Sequence, residues 1–228
     1  MEEQVADTIA AGSPPLSGVV LSGGQSRRLG QEKAMLRLWG PQGPTLLEAT
    51  VAHLAAVCDE VLVVSDGPHD WPVLPARVVF DRYPGGGSLG GIYTGLLEAA
   101  YPGALTVACD MPFLSRALLR YMAGLPRDYD VLIPRLRPPS GAPLGVGRED
   151  ARELRVEPLH AVYGRLCLEP MHALLSQGER QIIRFFPAVR VRYLEVEEVA
   201  RFGPPGLLFR NINTPQDLQQ VRRVLASL

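Results

Sequence analysis

No stretch of the 228-residue sequence approaches the roughly 18 consecutive apolar residues that a membrane-crossing helix needs, so a membrane-spanning protein is set aside. Charge of one sign is missing too. Lys and Arg number 23 against 24 for Asp and Glu, a formal net charge of -1, which argues against a general binder of nucleic acid, since such domains carry a basic surplus or stripe. Cysteine is scarce: Cys58, Cys109 and Cys167 are widely spaced among apolar neighbours. An odd set of that kind excludes a disulfide framework and zinc-ligand spacing, and suits reduced thiols in a cytoplasm. The start, Met1-Glu2-Glu3-Gln4, has neither the basic nor the apolar region of a secretory signal. Internal repeats are absent, and the 23 glycines and 21 prolines lie in loops without a period, which excludes collagen-like and low-complexity chains.

What is present is an ordinary soluble composition, 46% hydrophobic and 21% charged, at a length that supports a sizeable core. Residues 1–15 read as a flexible leader ending at Pro14-Pro15, and 16–228 as a single domain. Five segments, Gly18–Ser22, Glu60–Ser65, Arg77–Phe80, Ala104–Cys109 and Asp130–Pro134, are continuously apolar rather than alternating, the pattern of strands covered on both faces. Between them lie helical spacings over Thr45–Val57, Leu89–Ala100 and Ser115–Ala123, the first and third opened by a capping Thr or Ser. This alternation predicts an α/β fold, a Rossmann-like doubly wound, mostly parallel sheet with helices on both faces and a ligand site at the carboxyl ends of its strands. The second half is less regular: strands at Pro158–Tyr163 and Val189–Val196, helices at Leu166–Leu175 and Glu179–Phe186, and a last helix opening at Thr214-Pro215. Residues 135–157 have no apolar period and read as a long exposed loop whose five arginines, Arg135 among them, suit a flap over the acceptor side of the site.

The chemistry gathers at strand ends. After the first strand comes Leu21-Ser22-Gly23-Gly24-Gln25-Ser26-Arg27-Arg28-Leu29-Gly30-Gln31-Glu32-Lys33. Its paired glycines let the backbone approach a ligand and aim successive N–H groups at it, and Arg28 and Lys33 add positive charge, as a triphosphate cradle requires. It is neither the Walker loop nor the dinucleotide motif, and a merely flexible loop is the competing reading. Asp110, in Cys109-Asp110-Met111-Pro112, stands at the crevice where a hard carboxylate suits Mg²⁺ held together with phosphates, or else opens a turn before Pro112. Asp81 precedes a glycine run, Gly85 to Gly91, that can take a planar base or sugar against bare backbone or serve as a hinge. Asn211 and Asn213 flank a turn before the last helix, where an Asx cap is an equal alternative. His160, alone among apolar residues, reads as a core residue, and Cys109 as a buried strand thiol; Arg180 and Arg184 fit either an acceptor contact or a solvated face.

In order along the chain, Leu-Ser-Gly-Gly-x-Ser-x-Arg-Leu-Gly-x-x-Lys, Gly-x-Leu-x-Gly, Asp-x-Pro and Asn211-Ile212-Asn213-Thr214-Pro215-x-Asp217 resemble molybdenum cofactor guanylyltransferases of the MobA type, from about residue 17 to the C-terminus. The resemblance implies transfer of GMP from GTP to the molybdenum-molybdopterin cofactor with release of pyrophosphate, Mg²⁺ as cofactor, and contact with other proteins of molybdenum cofactor biosynthesis and with molybdoenzymes. It implies nucleotide contacts from Leu21, Ser22, Gly23, Gly24, Lys33, Ser65, Asp81, Gly87, Leu89 and Asp110, a metal held by Asp110 with Asn213, and a catalytic set of Arg28, Lys33 and Asp110. Ser65 stands where such proteins often have Asn, and Gly24 follows the pairing of the guanine users. The alternatives are a cytidylyltransferase of the same cofactor, another small nucleotidyltransferase, or a nucleotide-binding module that has lost catalysis.

Overall fold

The computed structural model describes residues 14–23, 32–136 and 155–227. Strand β1 (Ser17–Leu21) pairs in parallel with β2 (Glu60–Ser65) on one side and β4 (Gly103–Ala108) on the other, and β3 (Arg77–Phe80) adds in parallel beyond β2. On the other wing β7 (His160–Gly164) runs antiparallel to β4 and to β5 (Val131–Leu136), while β8 (Val191–Leu194) lies parallel to β5. A two-residue β6 (Arg155–Val156) completes the order β3-β2-β1-β4-β7-β5-β6, with β8 beside β5. Strands β1 to β5 and β8 therefore share one direction, and the mostly parallel sheet expected from the sequence is what forms.

Both faces of β1 are covered, which is why its sequence is apolar without alternation. Val20 faces Leu47, Val51 and Leu54 of α1 (Leu46–Ala55) and Leu118, Leu119 and Met122 of α3 (Arg116–Gly124). Its neighbour Val19 points to the opposite face, toward Leu89, Ile92 and Leu96 of α2 (Gly87–Glu98). Gly95 lets α2 lie directly on that strand, since a Cβ there would fall 2.4 Å from Cγ1 of Val19. Thr45 caps α1 through a reciprocal box with Glu48, and Ser115 caps α3 by accepting from Leu118 N–H. A smaller cluster of Leu36, Leu38 and Leu46 with Ile212, Leu218 and Val221 docks the C-terminal helix α7 (Pro215–Leu225) beside the chain that follows Lys33.

The second half departs from expectation in definite places. The strand through Pro134 continues to Leu136 and pairs with Arg155–Val156, so both ends of the expected 135–157 loop are sheet; Arg135 lies over the Tyr193 ring at 4.6 Å and bonds Glu195, which removes it from any flap. The remainder of that loop, 137–154, and the leader up to residue 13 lie outside the described residues. After α4 (Leu168–Ser176) the helix expected at Glu179–Phe186 is a 3₁₀ segment, Ile182–Ala188, with Pro187 inside it, and Val189–Val196 supplies only the short β8 before the one-turn helices α5 (Val196–Val199) and α6 (Pro205–Leu208). His160 is fully buried in β7 with its ring edge-on to Phe209 at 5.0 Å, the core placement expected of it. Neither ring nitrogen has a partner among the described residues, and burial pushes its pKa down to about 3.

Candidate active site

Because β1, β2, β3 and β4 run in register, their last residues reach one edge of the sheet together: Leu21 lies opposite Val64 and Ala108, and Ser65 opposite Phe80. Backbone bonds carry the ladder one step further, from Ser22 N–H to Val64 O (2.9 Å), Cys109 N–H to Leu21 O (3.0 Å) and Asp81 N–H to Ser65 O (2.8 Å). The side chains that follow thus surround a cavity of 870 Å³, the crevice that a parallel sheet leaves at its carboxyl edge. Leu21, Ser22, Gly23, Lys33, Ser65, Asp81, Gly87, Asp110 and Asn213, all named in the sequence analysis, line it. Gly24 and Arg28 lie outside the described residues. Leu89 does not reach the cavity: two residues past Gly87, it is fully buried in the core beneath, on the face of α2 that packs on the sheet, and α2 starts two residues earlier than its apolar spacing suggested.

Three of these residues meet at one point. Lys33 opens a 3₁₀ turn, Lys33–Met35, and its Nζ lies 2.9 Å from Oδ2 of Asp110 and 2.8 Å from Oδ1 of Asn213. Asp110 is positioned by the end of β4, and Asn213 by the turn in which Ile212 N–H bonds Asp110 O at 3.0 Å and Asp217 caps α7. The Lys33 ammonium is thus held between two hard oxygens. Asn211 lines the same wall with Oδ1 buried and unpaired among the described residues. Cys109, next to Asp110, is buried with its thiol pushed up to about 12 by desolvation, which rules out a thiolate nucleophile at neutral pH.

At the other end, Asp81 has Oδ1 engaged by Tyr83 N–H and the Thr94 hydroxyl, both at 2.9 Å. Ser65 is fully buried, its Oγ donating to Gly67 O at 2.6 Å and accepting from Gly67 N–H at 3.2 Å, so its hydroxyl proton is already used within its own turn. The turn into α2 has Gly85 at φ +86° and Gly87 at φ +62°, left-handed values that glycine adopts without strain. That brings the first turn of α2, with its exposed N–H groups, to the cavity wall.

Spacing alone gave no role to His69, yet it joins two walls: Nδ1 lies 2.9 Å from Glu32, Nε2 3.0 Å from Asp66, and the ring stacks on Trp71 at 4.3 Å. Trp71 Nε1 also donates to Glu32, so the loop after β2 is tied to the residue that precedes Lys33. Arg180 lines the cavity, whereas Arg184 is turned to Gln181 and Glu179. No sequence signal separated the two, since both sit on one short segment.

The family described as the MobA-like NTP transferase domain matches residues 18–193. A relative from Chloroflexus aggregans, named a probable molybdenum cofactor guanylyltransferase, is 40% identical over 212 residues, covering 93% of this chain and 96% of its own. The molybdenum cofactor guanylyltransferase of Desulfosudis oleivorans is 30% identical over 211 residues, 92% of this chain and 96% of its own. Among solved structures, molybdopterin-guanine dinucleotide biosynthesis protein A from Archaeoglobus fulgidus superposes with a TM-score of 0.71 at 25% identity, over 93% of this chain and all of that one. With a family match over residues 18–193 and relatives that align over 92–93% of it, the chain belongs to the MobA-like NTP transferase family.

Proposed function

We propose that the protein transfers GMP from GTP to the molybdenum-molybdopterin cofactor, forming the guanine dinucleotide cofactor and releasing pyrophosphate. The observation that carries this reading is the meeting of Lys33, Asp110 and Asn213 at the carboxyl edge of a parallel sheet, beside a glycine turn. An oxygen of the acceptor's phosphate attacks the α-phosphorus of GTP in line; the bond from that phosphorus to the bridging oxygen breaks, and its electron pair leaves with pyrophosphate. The acceptor is already an anion, so no protein nucleophile is needed and catalysis is positioning and charge stabilisation. In this reading Lys33 stabilises the departing charge, with Arg28 and the glycine-turn amides assisting. Arg180, on the cavity wall, offers a cation to the anionic acceptor.

The residues present fit Mg²⁺. Asp110 and Asn213 supply hard oxygens that already hold an ammonium between them, and a magnesium bound through one or two such side chains plus substrate phosphates needs no larger cage. Bound there, the ion supplies Lewis-acid stabilisation of phosphate oxygens. No helix among the described residues is long and apolar enough to cross a membrane, and a cytoplasmic setting with a soluble acceptor is the reading we favour.

Thermal denaturation with GTP, CTP, ATP and UTP, each with and without Mg²⁺, tests base and metal together, because a ligand that binds only the native state raises its stability by mass action. The expected outcome is a rise in Tm with GTP that is larger when Mg²⁺ is present, about 2.7 kcal/mol of stabilisation at a hundredfold excess over Kd. A rise confined to CTP would move the protein to the cytidylyl relatives, and no rise with any nucleotide would leave a module without substrate.

A further inference from the structure

Thr94 lies in the second turn of α2 and is fully buried. A buried threonine in a helix ordinarily returns its hydroxyl to the carbonyl four residues back, as Thr50 does to Leu46 O at 2.8 Å. Thr94 instead spends its hydroxyl across the structure. It donates to Oδ1 of Asp81 at 2.9 Å and accepts from Arg82 N–H at 3.0 Å, while Tyr83 N–H gives Oδ1 its second bond at 2.9 Å. Both bonds on one oxygen stop the carboxylate from turning. Its other oxygen, Oδ2, makes no hydrogen bond among the described residues and borders the glycine run, where a Cβ on Gly90 would come within 3.4 Å. Asp81 lines the cavity, and the two bonds on Oδ1 hold its carboxylate in one orientation there.

We infer that Thr94 is a positioning residue for nucleotide selection: it orients Asp81 so that Oδ2 accepts from a base edge rich in N–H donors, and so favours guanine over bases whose edges present acceptors there. The inference rests on the proposed nucleotide role of Asp81. Thr94 touches no ligand itself and contributes nothing to the reacting phosphates, so its removal acts on binding and base choice rather than on the chemical step.

Thr94→Val keeps the shape and removes the hydroxyl. The expected result is a rise of about tenfold in the KM for GTP, the loss of one hydrogen bond to a charged acceptor, with kcat changed less than about twofold and the preference for GTP over CTP narrowed by the same factor. Thr94→Ser restores both. If the Val variant does not fold, Thr94→Ala takes its place in the same assays. A GTP constant and base preference equal to wild type in a folded Val or Ala variant overturn the inference. Asp81→Ala separates the two levels: if it raises the GTP constant while Thr94→Val does not, only the role of Thr94 fails, and if Asp81→Ala itself changes nothing, the nucleotide role of Asp81 fails with it. In the double variant Thr94→Val should add nothing to Asp81→Ala, since one acts through the other.

Discussion

Asp110→Ala should lower kcat for guanylyl transfer by about a hundredfold to a thousandfold, the usual loss when one electrostatic contributor to a transition state is removed. Lys33→Ala should fall in the same range. Both side chains are only about one-fifth exposed, so losing one partner of the pair carries a folding cost of its own, and Tm should fall by several degrees without loss of the fold. Ile212 N–H bonds the backbone oxygen of Asp110, not its side chain, so the turn that carries Asn213 survives the substitution. Steady-state turnover and a melting curve check the pair of statements. Mn²⁺ binding followed by electron paramagnetic resonance in the presence of nucleotide gives a readout that does not depend on turnover, and Asp110→Ala should weaken it. Wild-type turnover in Asp110→Ala would remove this residue from the metal and phosphate site.

The second large effect is on stability in mild acid, and it comes from His160. In the unfolded chain a histidine titrates near 6.5, whereas in the fold desolvation pushes this one down to about 3. A base whose folded pKa is depressed is neutral in the native state, so below about pH 6.5 only the unfolded chain takes the proton. Stability is thus full above that value and falls as pH drops toward 3, by about 1.4 kcal/mol per unit. His53, half-buried beside Arg116, is shifted in the same direction by desolvation, so the wild-type slope contains both. Replacing His160 with Leu isolates its share. At pH 7 the variant should be as stable as wild type or more so, since two buried nitrogens without partners among the described residues are removed, and between pH 7 and 5 it should lose about 2 kcal/mol less. Urea unfolding at the two pH values measures this; equal losses in the two proteins would show that His160 is protonated without cost.

The parallel core was readable because covering both faces of a strand leaves a continuous apolar run, and β1, β2 and β4 are such runs. The reversed direction of β7 was not, since His160-Ala161-Val162-Tyr163 buries the same residues whichever way it points. The 3₁₀ segment at Ile182–Ala188 has apolar residues at helical intervals, but Pro187 withholds an N–H and a longer α-helix does not form there. Of the site, the residues that end strands were legible because a parallel sheet gathers its carboxyl ends. The partnership of Lys33 with Asn213 was not legible from spacing, as 180 positions separate them and they are brought together by the docking of α7 on Leu36 and Leu38 and by the bond from Ile212 N–H to Asp110 O. Thr94 had no signal at all: a threonine inside an apolar helix looks the same whether its hydroxyl serves the helix or a carboxylate across the groove.

The central claim is most directly tested by incubating the protein with GTP labelled at the α-phosphate, Mg²⁺ and molybdenum-molybdopterin cofactor, and following both the label and the pyrophosphate. Label should move into a guanine dinucleotide form of the cofactor with one pyrophosphate released for each GMP transferred, and CTP should not substitute. Label that stays in GTP, or that moves only when CTP is the donor, would contradict guanylyl transfer by this protein.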